Sequence, residues 1–409
     1  MKNTKEFRTG YKPLIGAVIG AGCGLSSISF YTHGVFVAAI SNDTAWSRGQ
    51  VQVGVTIMIL MAVITAPVIG WLIDRYTARR IALASIPLYG LTLASLALTT
   101  DEIWTYYVLW ACMSILAAGT LPITWTRVVN SWFDDYRGLA LGITLAGTGI
   151  AATFAPSYVV WLISEIGWRG AYMALAVTIT AISLPGVYLL FVEPSRENGD
   201  DAEASAAPAR QASGMTLRSA ISGYRFWALG IALLLVAAGI SGLITNLVPL
   251  LVDRGLTSTT AAGYAGLIGV SVIAGRLLAG VLVDHLWAPL VAAIFLSAPA
   301  IAAIVLTGQD IAPIMIGASA LIIGLAAGAE LDLLAFLSSR YFGLKHYGAI
   351  YGALYVFFSI GAGIAPAGFG RAYDVFGNYN VVLSVVAVMS IIGAALMLTL
   401  GKYPELDDS

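Results

Sequence analysis

Apolar runs recur along this chain at about 13–40, 51–73, 81–99, 103–126, 138–163, 170–192, 226–251, 260–283, 288–307, 311–337, 347–369 and 380–400. Each approaches or exceeds the roughly 20 residues that carry a helix across hydrocarbon. Hydrocarbon offers no partner to a free N–H or C=O, so a spanning segment must satisfy its own backbone, as a helix does. The pattern predicts an all-α membrane protein of twelve transmembrane helices. Composition agrees, because 59% hydrophobic and 11% charged residues cannot coat a soluble domain. The first run is longer than a signal-peptide core and has no small-residue cleavage site, so it reads as a retained helix. Cys23 and Cys112 stand alone inside apolar runs, as packing residues do, and not in disulfide or metal-ligand spacings. No nucleophile–base constellation, phosphate loop or metal cluster stands out, so neither an enzyme nor a cofactor is expected. A net charge of −1 gives no sign of a nucleic-acid partner. The run Gly20-x-Gly22-x-Gly24 lies inside a span and precedes no βαβ unit, so close helix packing explains it better than a dinucleotide loop.

The twelve runs divide into two sets of six. At a fixed offset of 210 residues, Gly70-x-Leu72-x-Asp74 recurs as Gly280-x-Leu282-x-Asp284, Gly138 and Gly142 as Gly348 and Gly352, and Ala155-Pro156 as Ala365-Pro366. Two pseudo-symmetric six-helix bundles are therefore expected, residues 1–192 and 223–409, joined by a polar linker over 193–222 rich in Ala, Ser, Glu, Asp, Arg and Pro. Parallel repeats of this kind are the layout of carriers that rock one half against the other around a central site. An even number of spans puts both chain ends on one side, which holds most of the Lys and Arg residues. The opposite loops hold only Arg48, Arg169, Arg254 and Arg371. The positive-inside rule then places both termini in the cytoplasm, with the bilayer, here an inner membrane, as the surrounding partner. Trp46, Trp104, Trp161 and Trp168 fall near span ends on the other side, as an interfacial belt would.

Gly70-Trp71-Leu72-Ile73-Asp74-Arg75-Tyr76-Thr77-Ala78-Arg79-Arg80 resembles the loop signature of the major facilitator superfamily between its second and third spans, with Thr77 where that family usually has a second glycine. The second copy, Gly280 to His285, is degenerate after Asp284. Leu139 to Gly147 resembles the fifth-span signature of the monocarboxylate transporter branch. Asn246-Leu247-Val248-Pro249, Arg254-Gly255 and Gly275-Arg276-Leu277-Leu278-Ala279-Gly280 resemble that branch and the bacterial oxalate–formate exchangers. The resemblance covers nearly the whole chain. It departs at the start, where only Gly10-Tyr11 remains of an acidic-Gly-x-aromatic signature. It departs again where Tyr31 replaces a first-span lysine, Val272 an eighth-span acid and Tyr355 a second cation. The resemblance implies a secondary carrier of small organic anions in which Arg276 contacts the substrate.

Ionisable groups within spans cost roughly 2.5–3.5 kcal/mol on insertion scales and usually face an interior cavity. Arg276 is the clearest, and its repeat partner is Ala66, so the shared scaffold does not require it. Either its planar fork binds a carboxylate bidentately, or it snorkels to the headgroups or closes a structural ion pair. Glu330 and Asp332, in the tenth span, sit at a similar depth. Being two apart on a helix they face different ways. One is a candidate proton carrier and the other a gate brace, with a permanent Arg–Glu pair as the competing reading. His33 and Tyr31 in the first span are candidate substrate contacts. His33 reads either as a titrating group or as a neutral hydrogen-bonded one. Asn246 beside Pro249 suggests a break in the seventh span that lines the cavity, and Tyr355 adds a hydroxyl. Asp74, Arg75, Arg79, Arg80, Arg127 and Asp284 are expected to form the cytoplasmic gate, not to touch substrate. The function expected is transport of a small organic anion, with protons or a counter-anion as the coupled species and a monomer as the working unit. One clear intramembrane cation favours a singly charged acid. The alternative is an exporter of drugs or amphipathic metabolites, in which Arg276 pairs permanently with Glu330.

Overall fold

A computed structural model describes residues 5–133, 136–193, 214–308, 310–343 and 345–404. Among the described residues, ten helices are long and apolar enough to cross a membrane. One of them, Arg137–Leu190, runs for 54 residues, about 80 Å at 1.5 Å per residue. It breaks at Gly167 (φ 70, ψ 171) into spans 5 and 6. The positive φ turns the chain back where the bilayer ends, a conformation glycine adopts at little cost. Ile103–Leu116 and Pro122–Trp132 together make span 4, completing twelve crossings. Span 1 is Lys5–Gly22 with Leu25–Asp43, span 2 Arg48–Tyr76, and span 3 Ala78–Ser95 with its 3₁₀ extension to Leu98. Spans 7 to 12 are Tyr224–Asp253, Ser258–His285, Ala288–Val305, Pro313–Phe342, Tyr347–Phe376 and Asn380–Leu398.

Span 4 departs from the uninterrupted run expected at 103–126. Pro122 has no N–H to give and restricts Leu121 to extended backbone (φ −66, ψ 156), so the chain tightens into a 3₁₀ turn at Ala118–Thr120 and restarts at the proline. Span 7 departs the other way. No break occurs at Asn246, and the helix runs through Pro249 to Asp253. Proline 249 frees one carbonyl, that of Thr245. Gly34 of span 1 packs on it so closely that a Cβ there would lie 2.2 Å from the oxygen. Most of the expected linker, 194–213, lies outside the described residues. Its end is ordered: Met215 N–H donates to the Phe342 carbonyl at 2.8 Å, and Leu217–Ser222 forms a short helix capped by Thr216.

Contacts between the halves follow the repeat. Span 2 packs on span 11, span 5 on span 8, and span 1 on span 7. The first two contacts exchange under the 210-residue offset, which is the relation a two-fold axis along the membrane normal produces. Small residues permit the approach, because close backbone packing is what holds helices together in lipid. A Cβ at Gly269 would lie 2.3 Å from the Gly149 carbonyl oxygen, and one at Gly370 would lie 2.7 Å from Gly49 backbone. The Gly20–Gly24 run does pack as expected, against Trp125, Gly147 and Thr120.

The helix seams converge toward the face away from the chain ends and part toward the face bearing them. Near that terminal face, Cβ positions built at Gly138, Gly142, Gly280, Gly348 and Gly352 meet nothing within 4 Å. The structure is closed on the far face and open on the terminal face.

Candidate functional site

Spans 8 and 10 are pressed together by glycine. A Cβ at Gly275 would lie 2.2 Å from the Leu325 carbonyl oxygen, and one at Gly328 2.1 Å from that of Val272. Arg276 follows Gly275, and Glu330 and Asp332 follow Gly328, so the contact brings the intramembrane charges side by side. Arg276 Nε lies 3.5 Å from Asp332 Oδ2. That is longer than the 2.7–2.9 Å usual for a charge-assisted hydrogen bond. Arg276 Nη1 and Glu330 Oε2 are both buried, and neither finds a hydrogen-bond partner among the described residues. Glu330 is only 8% exposed. The Arg276–Glu330 pair of the competing reading is not formed. Asp332, two residues nearer the terminal end of span 10, is the carboxylate that comes within ion-pair distance.

Tyr31 of span 1 lies close enough to feel the charges of both Arg276 and Glu330. Tyr355 of span 11 is similarly close to Glu330. A residue of the N-terminal half, Tyr31, thus lies within electrostatic range of the charged cluster carried by the C-terminal half. A cavity of about 600 Å³ opens from Arg276 and Asp332 toward the terminal face, walled by span 5 from Gly138 to Leu145, by span 8 to Asp284, and by Phe336 of span 10. Of the expected substrate and coupling residues, Arg276 and Asp332 face each other and line this cavity, Glu330 is buried two residues before Asp332 on span 10, and Tyr31 and Tyr355 lie within electrostatic range of Glu330.

His33 and Asn246 do not join them. His33 is 1% exposed and stands edge-on to the Trp110 ring at 5.2 Å, inside the N-terminal half. Asn246 donates to the Gly242 carbonyl at 2.9 Å and accepts from Gln52 Nε2 at 2.9 Å, a buried bond that ties span 7 to span 2. It belongs to the far-face seal. Above it sits Arg48, which the sequence marked only as one arginine among the opposite loops. Its guanidinium bridges to Asp253, with Nη2–Oδ1 at 2.8 Å, and lies 3.9 Å over the Tyr373 ring. Nη1 also donates to the Tyr379 hydroxyl at 3.1 Å. The backbone N–H groups of Arg48 and Gly49 donate to Asp374 at 3.2 and 3.1 Å. One arginine thus clamps span 2 to spans 7 and 11 where the halves converge.

The charges expected at the terminal gate are arranged differently. Arg127 meets Asp74 at 2.8 Å, but both are within one half and about two-thirds exposed, a setting in which an ion pair contributes roughly 0–1 kcal/mol. Arg79 is tied to Tyr188 and Glu193, also in that half. Arg75 lies over Trp71 and Tyr76, Arg80 is exposed, and Asp284 stands at the cavity mouth. None of these contacts crosses between halves in the open state. Thr77, at the signature's usual glycine, has φ 90 and ψ 141, among the described residues the only non-glycine with positive φ. The loop keeps the glycine conformation without the glycine, at a cost of order 1–3 kcal/mol. Among the described residues, no group of three or more His, Cys, Asp or Glu gathers as metal ligands would.

The sequence profile of the Major Facilitator Superfamily matches residues 19–366. The chain belongs to that superfamily. It is a multi-pass membrane transporter and not an enzyme. A protein of Thermoproteus tenax, described as an uncharacterized 38 kDa protein in a 23S RNA operon, is 30% identical over 93% of this chain and 95% of its own. Monocarboxylate transporter 12-B of Danio rerio is 23% identical over 87% of this chain and 78% of its own. Monocarboxylate transporter 11 of Homo sapiens is 28% identical over 61% of this chain and half of its own. Among solved structures, a bacterial homolog of the human lysosomal transporter Spinster, in an inward-facing and occupied conformation, has the same fold with a TM-score of 0.70. It is 17% identical and covers 97% of both chains.

If Arg48 holds the far face shut, its loss should shift the population toward the opposite opening. Charge-assisted bonds contribute roughly 1.5–3 kcal/mol each, so Arg48→Ala should shift the equilibrium by about tenfold or more. The readout is the rate at which a single cysteine at Gln52, in a background without Cys23 and Cys112, reacts with an impermeant maleimide. Faster labelling in Arg48→Ala is expected. An unchanged rate would show that the clamp does not set the resting state.

Proposed function

We propose that this transporter carries small organic anions, singly charged carboxylates first among them, by alternating access, with a proton or a counter-anion as the coupled species. The observation that carries the reading is the buried Nη1 of Arg276, without a hydrogen-bond partner among the described residues, at the head of the cavity. A buried donor left unsatisfied costs about 1–3 kcal/mol, and a carboxylate entering from the cavity supplies the missing acceptor. The planar fork then takes both oxygens, with Asp332, already at a long distance, yielding its place. The monocarboxylate transporters among the relatives are consistent with this class of substrate. The surplus of Lys and Arg on the terminal side supports a cytoplasmic assignment for that face and an inner-membrane location. On that assignment the open conformation faces inward. A single chain holds the whole site, which supports a monomeric carrier.

Binding titrated by calorimetry on folded, purified protein tests the anchor, using benzoate and benzamide as a matched acid and amide. Arg276→Ala should weaken the acid by about tenfold to a hundredfold or more, and Arg276→Lys should rescue poorly because it keeps the charge but loses the fork. Wild-type affinity for the acid in Arg276→Ala would rule out the anchor.

Glu330 supports the coupling. A buried carboxyl with an unsatisfied oxygen, beside the site, can take up a proton in one state and release it in the other. Glu330→Gln should abolish acid accumulation driven by a pH gradient in proteoliposomes while leaving exchange of labelled for unlabelled acid. Equal loss of both activities would make Glu330 a structural residue.

A further inference from the structure

Tyr347, Tyr351, Tyr355 and Phe358 are spaced four, four and three residues apart along span 11, which puts them on one helical face. Their rings stack in sequence. Centroids lie 5.6, 6.3 and 5.4 Å apart, with planes 29, 19 and 28° from parallel. The strip runs along span 10: the two spans are consecutive and antiparallel, and the Tyr347 hydroxyl lies 3.5 Å from the Ala335 carbonyl oxygen, so Tyr351 and Tyr355, one and two turns on, lie alongside the stretch of span 10 that bears Asp332 and Glu330. It therefore leads from the terminal mouth to the charged cluster.

The scaffold does not require these rings. At the 210-residue offset, Tyr351 and Tyr355 occupy the positions of Leu141 and Leu145, which wall the cavity from span 5. The same structural place is filled by aliphatic side chains in one half and by stacked phenols in the other. Tyr351 and Tyr355 are half-buried, so part of each ring remains uncovered by protein. In span 1, Phe30 and Tyr31 meet edge to face at 5.2 Å.

We infer that the site selects planar, ring-bearing carboxylates, aromatic acids, over saturated acids of the same size. The carboxylate sits on Arg276, and the ring lies against the Tyr351–Tyr355 strip. This rests on the anion reading of Arg276 and adds to it the nature of the organic group. Offset or edge-to-face contact between aromatic rings adds about two- to tenfold in affinity beyond area burial. A saturated ring buries comparable area without that term.

The probes are benzoate and cyclohexanecarboxylate, which share the carboxylate and carbon count but differ in planarity and π-electrons. Calorimetry on the full-length wild-type protein should give a Kd about two- to tenfold lower for benzoate. Tyr351→Leu and Tyr355→Leu should bring the ratio of the two constants close to one, while Tyr351→Phe and Tyr355→Phe, which keep the ring, should preserve it. A wild-type ratio of one overturns the proposal without needing any variant to fold. So does a ratio unchanged in the leucine variants, or one lost equally in the phenylalanine variants, which would assign the tyrosines' role to their hydroxyls. Benzamide binding as tightly as benzoate overturns the anion reading itself, and the two failures are thereby told apart.

Discussion

With hydrogen in place of a side chain at Gly275 and Gly328, the backbones of spans 8 and 10 touch, and the charges that follow those glycines are forced into one another's company. Lipid supplies little driving force for helix association, so intimate packing of small residues does the holding. Here it does a second thing. It places Arg276, Glu330 and Asp332 in a group where not every polar atom can be satisfied by protein. A larger residue at either glycine would separate the helices, and with them the cluster.

The two-fold repeat builds a scaffold whose halves share their helix contacts and differ at the site. Span 2 on span 11 and span 5 on span 8 are equivalent contacts, yet Arg276 has alanine as its counterpart, and Tyr351 and Tyr355 have leucines. The seams are also used unequally along their length. On the far face, the Arg48 clamp and the buried Gln52–Asn246 bond span the halves. On the terminal face the charges stay within one half and the cavity is open. A few polar contacts on one face are the right size for a switch, since an equilibrium that must run both ways cannot rest on a seal of tens of kcal/mol.

Much of this was legible in the sequence because it depends on composition and local pattern. Span count follows from hydropathy, and the repeat from matched Gly, Asp and Pro at one offset. Arg276, Glu330 and Asp332 stand out because a charge in hydrocarbon needs a reason. What the sequence concealed depends on contacts between distant segments. Asn246-Pro249 reads locally as a break, but Gly34 covers the freed carbonyl from another span and the helix continues. Arg48 reads as a loop charge, and only the meeting of spans 2, 7 and 11 reveals the clamp. His33 reads as a cavity histidine, and its burial against Trp110 depends on a partner 77 residues away. The tyrosine strip carries a signal in its four-residue spacing, but the stacking of its rings shows only in the folded helix.

If a carboxylate binds at Arg276 as proposed, it should draw the parted halves together over the cavity. Spin labels at Leu139 and Val281, on opposite walls of that cavity near the terminal face, report the separation directly by double electron–electron resonance. Adding benzoate should shorten the distance in the otherwise wild-type protein and leave it unchanged when Arg276 is replaced by alanine. A distance that ignores the acid, or that shortens equally without Arg276, would contradict the account.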